Sequence, residues 1–288
     1  MQPSARATAT LGMLLAGIAG SAGSAQAMTS GTPADGTGHP ATVALIVSDG
    51  YWARPFCSGI LLSGKVVLTA SHCMSPAQFW QADGWEILVS NDPTLQQYSD
   101  GWLLVDTLIT KRTVSQIVLN PAYDPKLMNG YVHDVSAAVL ASPLEVDPAA
   151  LPTLPPVGVL DQLKADKSLR NSTFTVLGYG RLEKALPANS GPTYAVTGER
   201  RVGTLGFDSL DKSFIHQSQR IAQGQDGACF GDSGGPSLLR VGETDYVVGV
   251  TSSGDMACYA TNTATRTDTT EANDLLTEVL AANPDGGE

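Results

Sequence analysis

The hydroxyl of Ser233 stands in a glycine-rich stretch that could carry nucleophilic chemistry. The segment from Gly227 to Pro236 reads Gly-Ala-Cys-Phe-Gly-Asp-Ser-Gly-Gly-Pro, with Asp232 directly before the serine. Glycine permits positive φ and lets backbone N–H groups approach a reacting atom, so the stretch predicts a tight loop with donors around a nucleophile. Taken alone, the same pattern is also typical of an ordinary surface turn.

A serine hydroxyl is a weak nucleophile and needs a base that takes its proton. The chain has four histidines, and all of them precede Ser233: His39, His72, His133 and His216. The nucleophile elbow of α/β-hydrolases has its histidine after the serine, so this order excludes it although Gly-x-Ser-x-Gly is present. A phosphate-binding loop is excluded too, because no Gly-Lys-Ser/Thr follows.

Two further stretches place a base and an acid in strand-like surroundings. Residues 66–73 read VVLTASHC, and residues 133–140 read HDVSAAVL. Together with FCSGILL before them and ACFGDSGGP after them, these motifs resemble the chymotrypsin-like (trypsin-like) serine protease family over most of residues 28–267. The resemblance implies that Ser233 attacks, that His72 is the general base and that Asp134 orients and stabilises the imidazole.

Other side chains compete for two of these roles. Asp106 and Asp124 are rival acids, and Asp134 itself could be a strand-start cap. We expect His133 to be structural or exposed, and His39 and His216 to have no catalytic part.

The resemblance also implies the surroundings of the nucleophile. The backbone N–H groups of Gly231 and Ser233 would form an oxyanion hole. The four cysteines, an even number in an exported chain, suggest two disulfides, and their spacing does not fit a metal site. The family pattern pairs Cys57 with Cys73 and Cys229 with Cys258.

Activation and specificity follow from the same resemblance. A new N-terminal amine at Met28 would pair with Asp232. The floor of the primary pocket would be Gly227 with Ala228 beside it, which lacks the aspartate that binds Arg or Lys in trypsin-like members. A wall would be formed by Ser252, Ser253 and Gly254, with Ser253 in place of the usual aromatic residue. We therefore expect cleavage after an uncharged, small or apolar residue.

The N-terminus predicts export. Arg6 precedes the short apolar stretch from Leu11 to Ala19, and Ala25-Gln26-Ala27 is typical of a signal-peptide cleavage site. Residues 1–27 are therefore predicted to be a signal peptide, too short and too rich in Gly and Ser to span a membrane. We expect a secreted protein, extracellular or periplasmic. Removal of the signal peptide would leave Met28 at its N-terminus.

The amino-acid composition limits the classes of partner that the protein is expected to bind. The chain has 288 residues and a net charge of −11, with 42% hydrophobic and 16% charged residues, which indicates a sizeable core and argues against overall disorder. An acidic chain without basic runs is a poor nucleic-acid binder. We expect polypeptide substrates and proteinaceous inhibitors as partners, and a monomer. We expect neither a cofactor nor a metal. The spacing of Asn91, Asp92 and Asp100 matches no calcium-binding loop, so these residues are predicted to form a solvated turn.

Short alternating segments predict an all-β fold, which the resemblance specifies as two packed antiparallel six-stranded Greek-key-type β-barrels with a C-terminal α-helix. We predict an N-terminal barrel at 28–150, which carries His72 and Asp134, and at 151–288 a Pro-rich linker (151–156), a C-terminal barrel with Ser233 and the helix. The predicted strands are 42–47, 58–62, 66–69, 85–90, 102–108, 114–119, 135–140, 174–178, 201–205, 237–240, 246–251 and 263–267.

Only the C-terminus has a clean helical period. An apolar face is formed by Ala272, Leu275, Leu276, Val279 and Leu280. Asp268 followed by Glu271 predicts a capping box at its start.

Two other functions remain open from the sequence. A protease homologue that lost pocket or activation geometry would be a secreted binding module, and Met28 and the aromatic-free pocket wall are the features in its favour. An esterase-like acyl hydrolase would use the same triad on non-peptide substrates. Asn171-Ser172-Thr173 is, in addition, a glycosylation sequon.

Overall fold

The computed structural model of the chain describes residues 31–33, 38–98, 100–126, 132–184 and 193–285. The predicted signal peptide and Met28 lie outside the described residues. Twelve strands form two sheets that close on themselves: β1 Thr42–Ser48, β2 Trp52–Leu61, β3 Val66–Thr69, β4 Glu86–Ser90, β5 Arg112–Leu119, β6 Ser136–Leu140, β7 Thr173–Gly178, β8 Arg201–Leu210, β9 Phe214–Ser218, β10 Pro236–Val241, β11 Thr244–Gly254 and β12 Thr261–Arg266.

The two barrels have the same topology. The first closes in the order β1-β2-β3-β6-β5-β4 and the second in the order β7-β8-β9-β12-β11-β10, with every pair antiparallel. In each barrel the fourth strand returns beside the first, which is the Greek-key arrangement. The predicted fold class is confirmed. The domain boundaries at residues 27 and 150 stay a prediction.

Four shorter strands add to this frame. Thr32–Pro33 pairs with β8, Leu103–Leu104 pairs with β2, and Leu182–Lys184 pairs with Thr193–Ala195. The predicted strand at 102–108 is thus mostly wrong, because Val105–Thr107 is a 3₁₀ turn. Further 3₁₀ turns are Pro148–Ala150, Ser168–Asn171 and Ile221–Gln223.

Three α-helices are present in the described part of the chain: α1 Ser71–Ala82, α2 Val159–Ala165 and α3 Thr270–Ala282. The sequence did not predict α1. Its buried face is short, formed by Cys73, Met74 and Ala77, and the period is obscured by Pro76 inside the helix and by Phe79, which is apolar but exposed. The seven residues of α2 are too few to show a period. Strand β9 was missed because its Gln217 is polar yet fully buried.

The C-terminal helix confirms the predicted apolar face. Ala272, Leu276 and Val279 are buried in the core of the first barrel, and Leu275 and Leu280 pack against it. The predicted cap is wrong, however. Thr269 is the N-cap and accepts a hydrogen bond from the Ala272 N–H at 3.3 Å.

Asp268 is fully buried and has a different role. Its carboxylate binds the guanidinium of Arg266 at 2.8 and 3.0 Å and accepts the Leu160 N–H at 2.9 Å. A buried carboxylate needs partners that compensate its charge, and the guanidinium of Arg266 supplies a full positive charge together with two hydrogen bonds. Asp268 therefore joins β12 to α2 instead of beginning α3.

Candidate active site

His72 is held at the start of α1, directly after β3. The neighbouring Ser71 hydroxyl is buried and donates to the Val135 carbonyl at 2.9 Å, which ties the helix start to the segment before β6. On the other side of His72, Cys73 is bonded to Cys57 of β2. Two anchors on either side of the histidine therefore fix its backbone between three strands.

The carboxylate of Asp134 is fully buried beside this histidine. Its Oδ1 accepts the His72 backbone N–H at 2.7 Å, and its Oδ2 lies 2.7 Å from His72 Nδ1. Oδ2 also accepts the Ser252 hydroxyl at 2.5 Å. Three donors orient the acid, and one of them, on β11, comes from the second barrel. The rival acids Asp106 and Asp124 are exposed at the surface.

The loop that carries Ser233 is bound to both barrels. Ser58 on β2 donates its N–H to the Ser233 carbonyl at 2.8 Å and its hydroxyl to the Gly231 carbonyl at 2.8 Å. The Gly234 N–H donates to the Thr251 carbonyl at 2.8 Å. Ser233 itself is half-buried and lines the same cavity as His72, so the structure brings the predicted nucleophile, base and acid together.

Two glycines of this loop cannot be replaced without strain. Gly231 and Gly234 have φ of +100° and +79°, a region that disfavours side chains. A Cβ on Gly234 would lie only 2.2 Å from the Thr69 hydroxyl and 2.4 Å from the Ser58 carbonyl oxygen. The glycines let the loop press against the first barrel. Among the described atoms, no acceptor binds the N–H of Gly231 or of Ser233.

Asp232, between these residues, points into the second barrel. Its carboxylate is buried and accepts the N–H groups of Cys229 and Gly180, each at 2.9 Å. Burial raises the pKa of Asp232 to about 6, although these two backbone donors oppose the shift. Its predicted partner, the amine of Met28, lies outside the described residues.

Both predicted disulfides are formed. Cys57 pairs with Cys73, and Cys229 pairs with Cys258. The second bridge joins the segment before Ser233 to the loop after β11. The sulfur atoms of Cys57 and Cys73 lie within 4.8 Å of a ring nitrogen of His72, but a disulfide offers no thiolate to a metal.

A cavity of about 290 Å³ opens beside the serine. Four of the predicted pocket residues line it: Ala228, Ser252, Ser253 and Gly254. Gly227 is not among the residues that line it. A second cavity, of about 830 Å³, also borders Ser233. It is lined mostly by residues of the first barrel, together with Tyr179, Arg181, Val196, Phe230 and Gly231.

The chain matches the family model for Trypsin over residues 28–276. It is 27% identical over 260 residues to tryptase of Mus musculus, with 85% of each chain covered. It is also 27% identical over 221 residues to serine protease ea of Drosophila melanogaster, which covers 70% of this chain and 54% of that protein. A third relative is coagulation factor IX of Cavia porcellus, 25% identical over 207 residues, with 69% of this chain and 64% of that protein covered.

The chain belongs to the trypsin family. Membership of this family supports a serine-type endopeptidase. None of the helices within the described ranges has the length and the apolar run that a membrane crossing requires.

This trypsin-family chain has two polar pocket residues that the sequence did not single out, Asp255 and Asn262. Asp255 Oδ1 accepts the N–H groups of Ala260 and Thr261 and the side-chain amide of Gln219, at 2.8–3.1 Å. The Tyr259 N–H donates to Oδ2 at 3.1 Å. Partial burial acts to raise the pKa of Asp255, but these four donors together lower it. Its oxygens are thus engaged in holding the loop. Three of these donors follow Asp255 by only four to six residues, so an acid that closes its own loop was the available sequence signal; only the Gln219 amide comes from a distant segment.

None of the remaining predicted residues lines either of the two cavities at the serine. His133 binds Glu271 of α3 at 2.7 Å, and His216 binds Asp211 at 2.9 Å. The solvated turn predicted at Asn91, Asp92 and Asp100 is wrong for Asp92. That residue is only 3% exposed and accepts the N–H groups of Ile109 and Thr110 at 2.7 and 2.8 Å.

Proposed function

We propose that this protein is a secreted serine endopeptidase that hydrolyses peptide bonds through His72, Asp134 and Ser233. The observation that carries the proposal is the buried Asp134 carboxylate on His72 Nδ1 at 2.7 Å, with His72 and Ser233 on one cavity wall. A histidine held this way has Nδ1 bound to the acid, so proton transfer with the Ser233 hydroxyl would use Nε2.

In the proposed reaction, Ser233 Oγ attacks the carbonyl carbon of the substrate while His72 takes the hydroxyl proton. His72 then returns this proton to the leaving amine, and an acyl-enzyme ester remains on Ser233. Water, activated by the same histidine, hydrolyses the ester. Asp134 fixes the tautomer of His72 and stabilises the imidazolium that forms in both steps.

The developing oxyanion would bind to the N–H groups of Gly231 and Ser233. Neither N–H has an acceptor among the described atoms, which suits them to receive charge only when it forms. The Phe230 carbonyl shares a peptide plane with the Gly231 N–H and accepts the Arg181 N–H at 2.7 Å, and the Asp232 carbonyl shares a plane with the Ser233 N–H and accepts the Gly235 N–H at 2.9 Å. Both donors are therefore held in place, and little reorganisation is needed during the reaction.

The smaller cavity would take the side chain before the scissile bond. Ala228 offers no charge there. The carboxylate of Asp255 keeps its charge, but its oxygens already accept four neutral donors that hold the loop, which leaves it poorly placed for a direct ion pair with a basic side chain. We therefore propose cleavage after small or apolar residues, with Ser252, Ser253 and Gly254 pairing with the substrate backbone. A peptide panel that is cut fastest after arginine would contradict this specificity.

Export and activation complete the proposal. Signal removal after Ala27 would expose Met28, whose amine would pair with Asp232 without a separate zymogen. The partners would be polypeptide substrates and protein inhibitors, and the protein would act as a monomer. A longer propeptide on the active secreted form would rule out activation by signal removal.

Fluorophosphonate labelling of the purified mature protein tests the proposed function. We expect a single adduct on Ser233, mapped by mass spectrometry, that is lost in Ser233→Ala and weakened in His72→Ala. The same spectrum reports the N-terminal residue. No adduct on a folded protein that begins at Met28 would favour a binding module, and turnover of esters but not of peptides would favour an acyl hydrolase.

A further inference from the structure

The larger cavity has an unusual wall for an acidic protein. Three of the four tryptophans of the chain line it, Trp80, Trp85 and Trp102, together with Phe56 and Phe230. Phe56 packs edge-on against Trp80 with ring centroids 5.1 Å apart. Such aromatic walls favour large apolar side chains of a ligand.

The charged side chains of this cavity are all basic. Apart from His72, these are Arg54 and Arg181, and no carboxylate occurs among the described lining residues, although the chain has 28 acidic and 17 basic side chains. Arg54 is half-buried over the ring of Trp102, 5.8 Å from its centroid. Within the described ranges, neither arginine forms a salt bridge, so both remain available to an anionic group.

The position of the cavity identifies which part of a substrate enters it. It shares His72, Phe230 and Ser233 with the smaller cavity and has no other lining residue in common with it. If the residue before the scissile bond occupies the smaller cavity along Ser252 and Gly254, the larger cavity is left for the leaving half of the peptide.

We propose that the larger cavity selects the leaving half of the substrate: a bulky apolar side chain close to the scissile bond and a carboxylate further on, bound by Arg54 and Arg181. This inference rests on the proposed endopeptidase function. The carboxylate could belong to an aspartate or glutamate side chain or to the C-terminus of the substrate. Substrates with lysine or arginine at these positions would be disfavoured.

Aminolysis of the acyl-enzyme tests this site separately from acylation, because the first substrate is an ester with no amino-acid residue in its leaving group. A small activated ester with an apolar acyl group loads Ser233, and an added peptide amine then competes with water. The amine nitrogen attacks the acyl carbon, a C–N bond forms, the C–Oγ bond breaks, and the amine proton passes through His72 to the serine oxygen. The ratio of aminolysis to hydrolysis measures how well each amine binds.

Four tripeptide amines separate the sources of binding. Leucyl-phenylalanyl-aspartate amide is compared with the asparagine amide, and leucyl-phenylalanyl-alanine is compared as free acid and as amide. We expect the aspartate form to exceed the asparagine form by about threefold to tenfold, the size of a charge-assisted contact at a half-exposed site. A preference for the free acid would assign the carboxylate to the substrate C-terminus instead. Glycyl-glycyl analogues should react least.

The variants Arg54→Gln, Arg181→Gln and the double variant should reduce this preference stepwise to about one. Arg240→Gln is the matched control, because Arg240 is exposed and pairs with Asp245 at 2.8 Å on strands β10 and β11. The burst of ester product should stay at wild-type size in all four, which shows that each variant folds and acylates. If the wild type gives a burst of ester product but does not discriminate among the amines, this inference is wrong and the proposed function still stands. No burst in the wild type would refute the proposed function and this inference with it.

Discussion

Asp134 is the residue through which the two barrels meet at the site. Its two bonds to His72 come from the first barrel, and its bond to the Ser252 hydroxyl comes from the second. A carboxylate with three fixed donors has little freedom to rotate, so the imidazole it binds is held in one orientation. We infer that Ser252 is a positioning residue for the proposed base.

We expect Ser252→Ala to lower kcat for a small ester about tenfold while KM changes little, because a hydrogen bond to a charged group is lost at the far side of the acid. Steady-state kinetics, with kcat and KM determined separately, measure this. Ser253→Ala, at the adjacent pocket residue, is the control. Equal kcat values for the two variants would contradict the positioning role.

Gly234 shows how one missing side chain allows two elements to approach. We expect Gly234→Ala to lower the free energy of unfolding by at least about 3 kcal/mol, because the new methyl group meets Thr69 and Ser58 in addition to the cost of positive φ. Gly242→Ala is the control: its φ is +62° but nothing lies within 4 Å, so about 1 kcal/mol is expected. Urea unfolding measures both, and similar losses would contradict the packing argument.

At the scale of elements, β12, α2 and the start of α3 are joined by one buried arginine. The guanidinium of Arg266 binds both oxygens of Asp268, the Asp161 carboxylate at 2.6 Å and the Asp211 carbonyl at 2.8 Å. These carboxylates raise the pKa of Arg266 further above its usual range. This ion pair explains why Asp268, although it lies where a helix cap is expected, binds β12 and α2 instead of capping α3.

Arg266→Met should destabilise the protein by about 3–5 kcal/mol, because Asp268 is left as a buried charge without its partner. The double variant Arg266→Met/Asp268→Asn should recover a large part of this loss. Arg240→Met removes an exposed pair and should cost at most about 1 kcal/mol. Thermal and urea unfolding give these values. If the double variant were as unstable as the single one, the stranded charge would not be the cause.

At the scale of the whole molecule, we predict that Asp232 couples the N-terminus to the site. Its folded pKa of about 6, raised by burial although Arg201 acts to lower it, exceeds the ordinary value of 3.8. Without the Met28 amine, the native state therefore binds more protons than the unfolded state between these values. Stability then falls as the pH rises from about 4 to 6, by about 2–3 kcal/mol in total. An amine beside the carboxylate would lower the pKa and remove this loss.

We therefore expect a chain acetylated at Met28 to lose stability over this pH range and to fail in fluorophosphonate labelling. The chain with a free Met28 amine should keep both its stability and its labelling. Asp232→Asn should abolish the pH-dependent difference between the two forms. Unfolding curves at pH 4, 5, 6 and 7 measure it, and identical curves for the free and acetylated chains would contradict the proposed ion pair.

The sequence by itself indicated the family and the architecture of this protein, and with them the proposed chemistry. The motifs around His72, Asp134 and Ser233 resemble one family, and alternating segments predicted most of the strands, because side-chain type and burial period are local properties of the chain. The pairing of the four cysteines also followed from the resemblance and is confirmed.

Only the tertiary structure decided the contacts between distant segments. Ser252 reaches Asp134 across 118 residues, Asp268 turns to Arg266 instead of capping α3, and Asp92 is buried under the backbone of Ile109 and Thr110. The cavity of Trp80, Trp102 and Arg54 likewise brings together three separate stretches of the chain. Local patterns do not encode such meetings, since they depend on how closed barrels pack against each other.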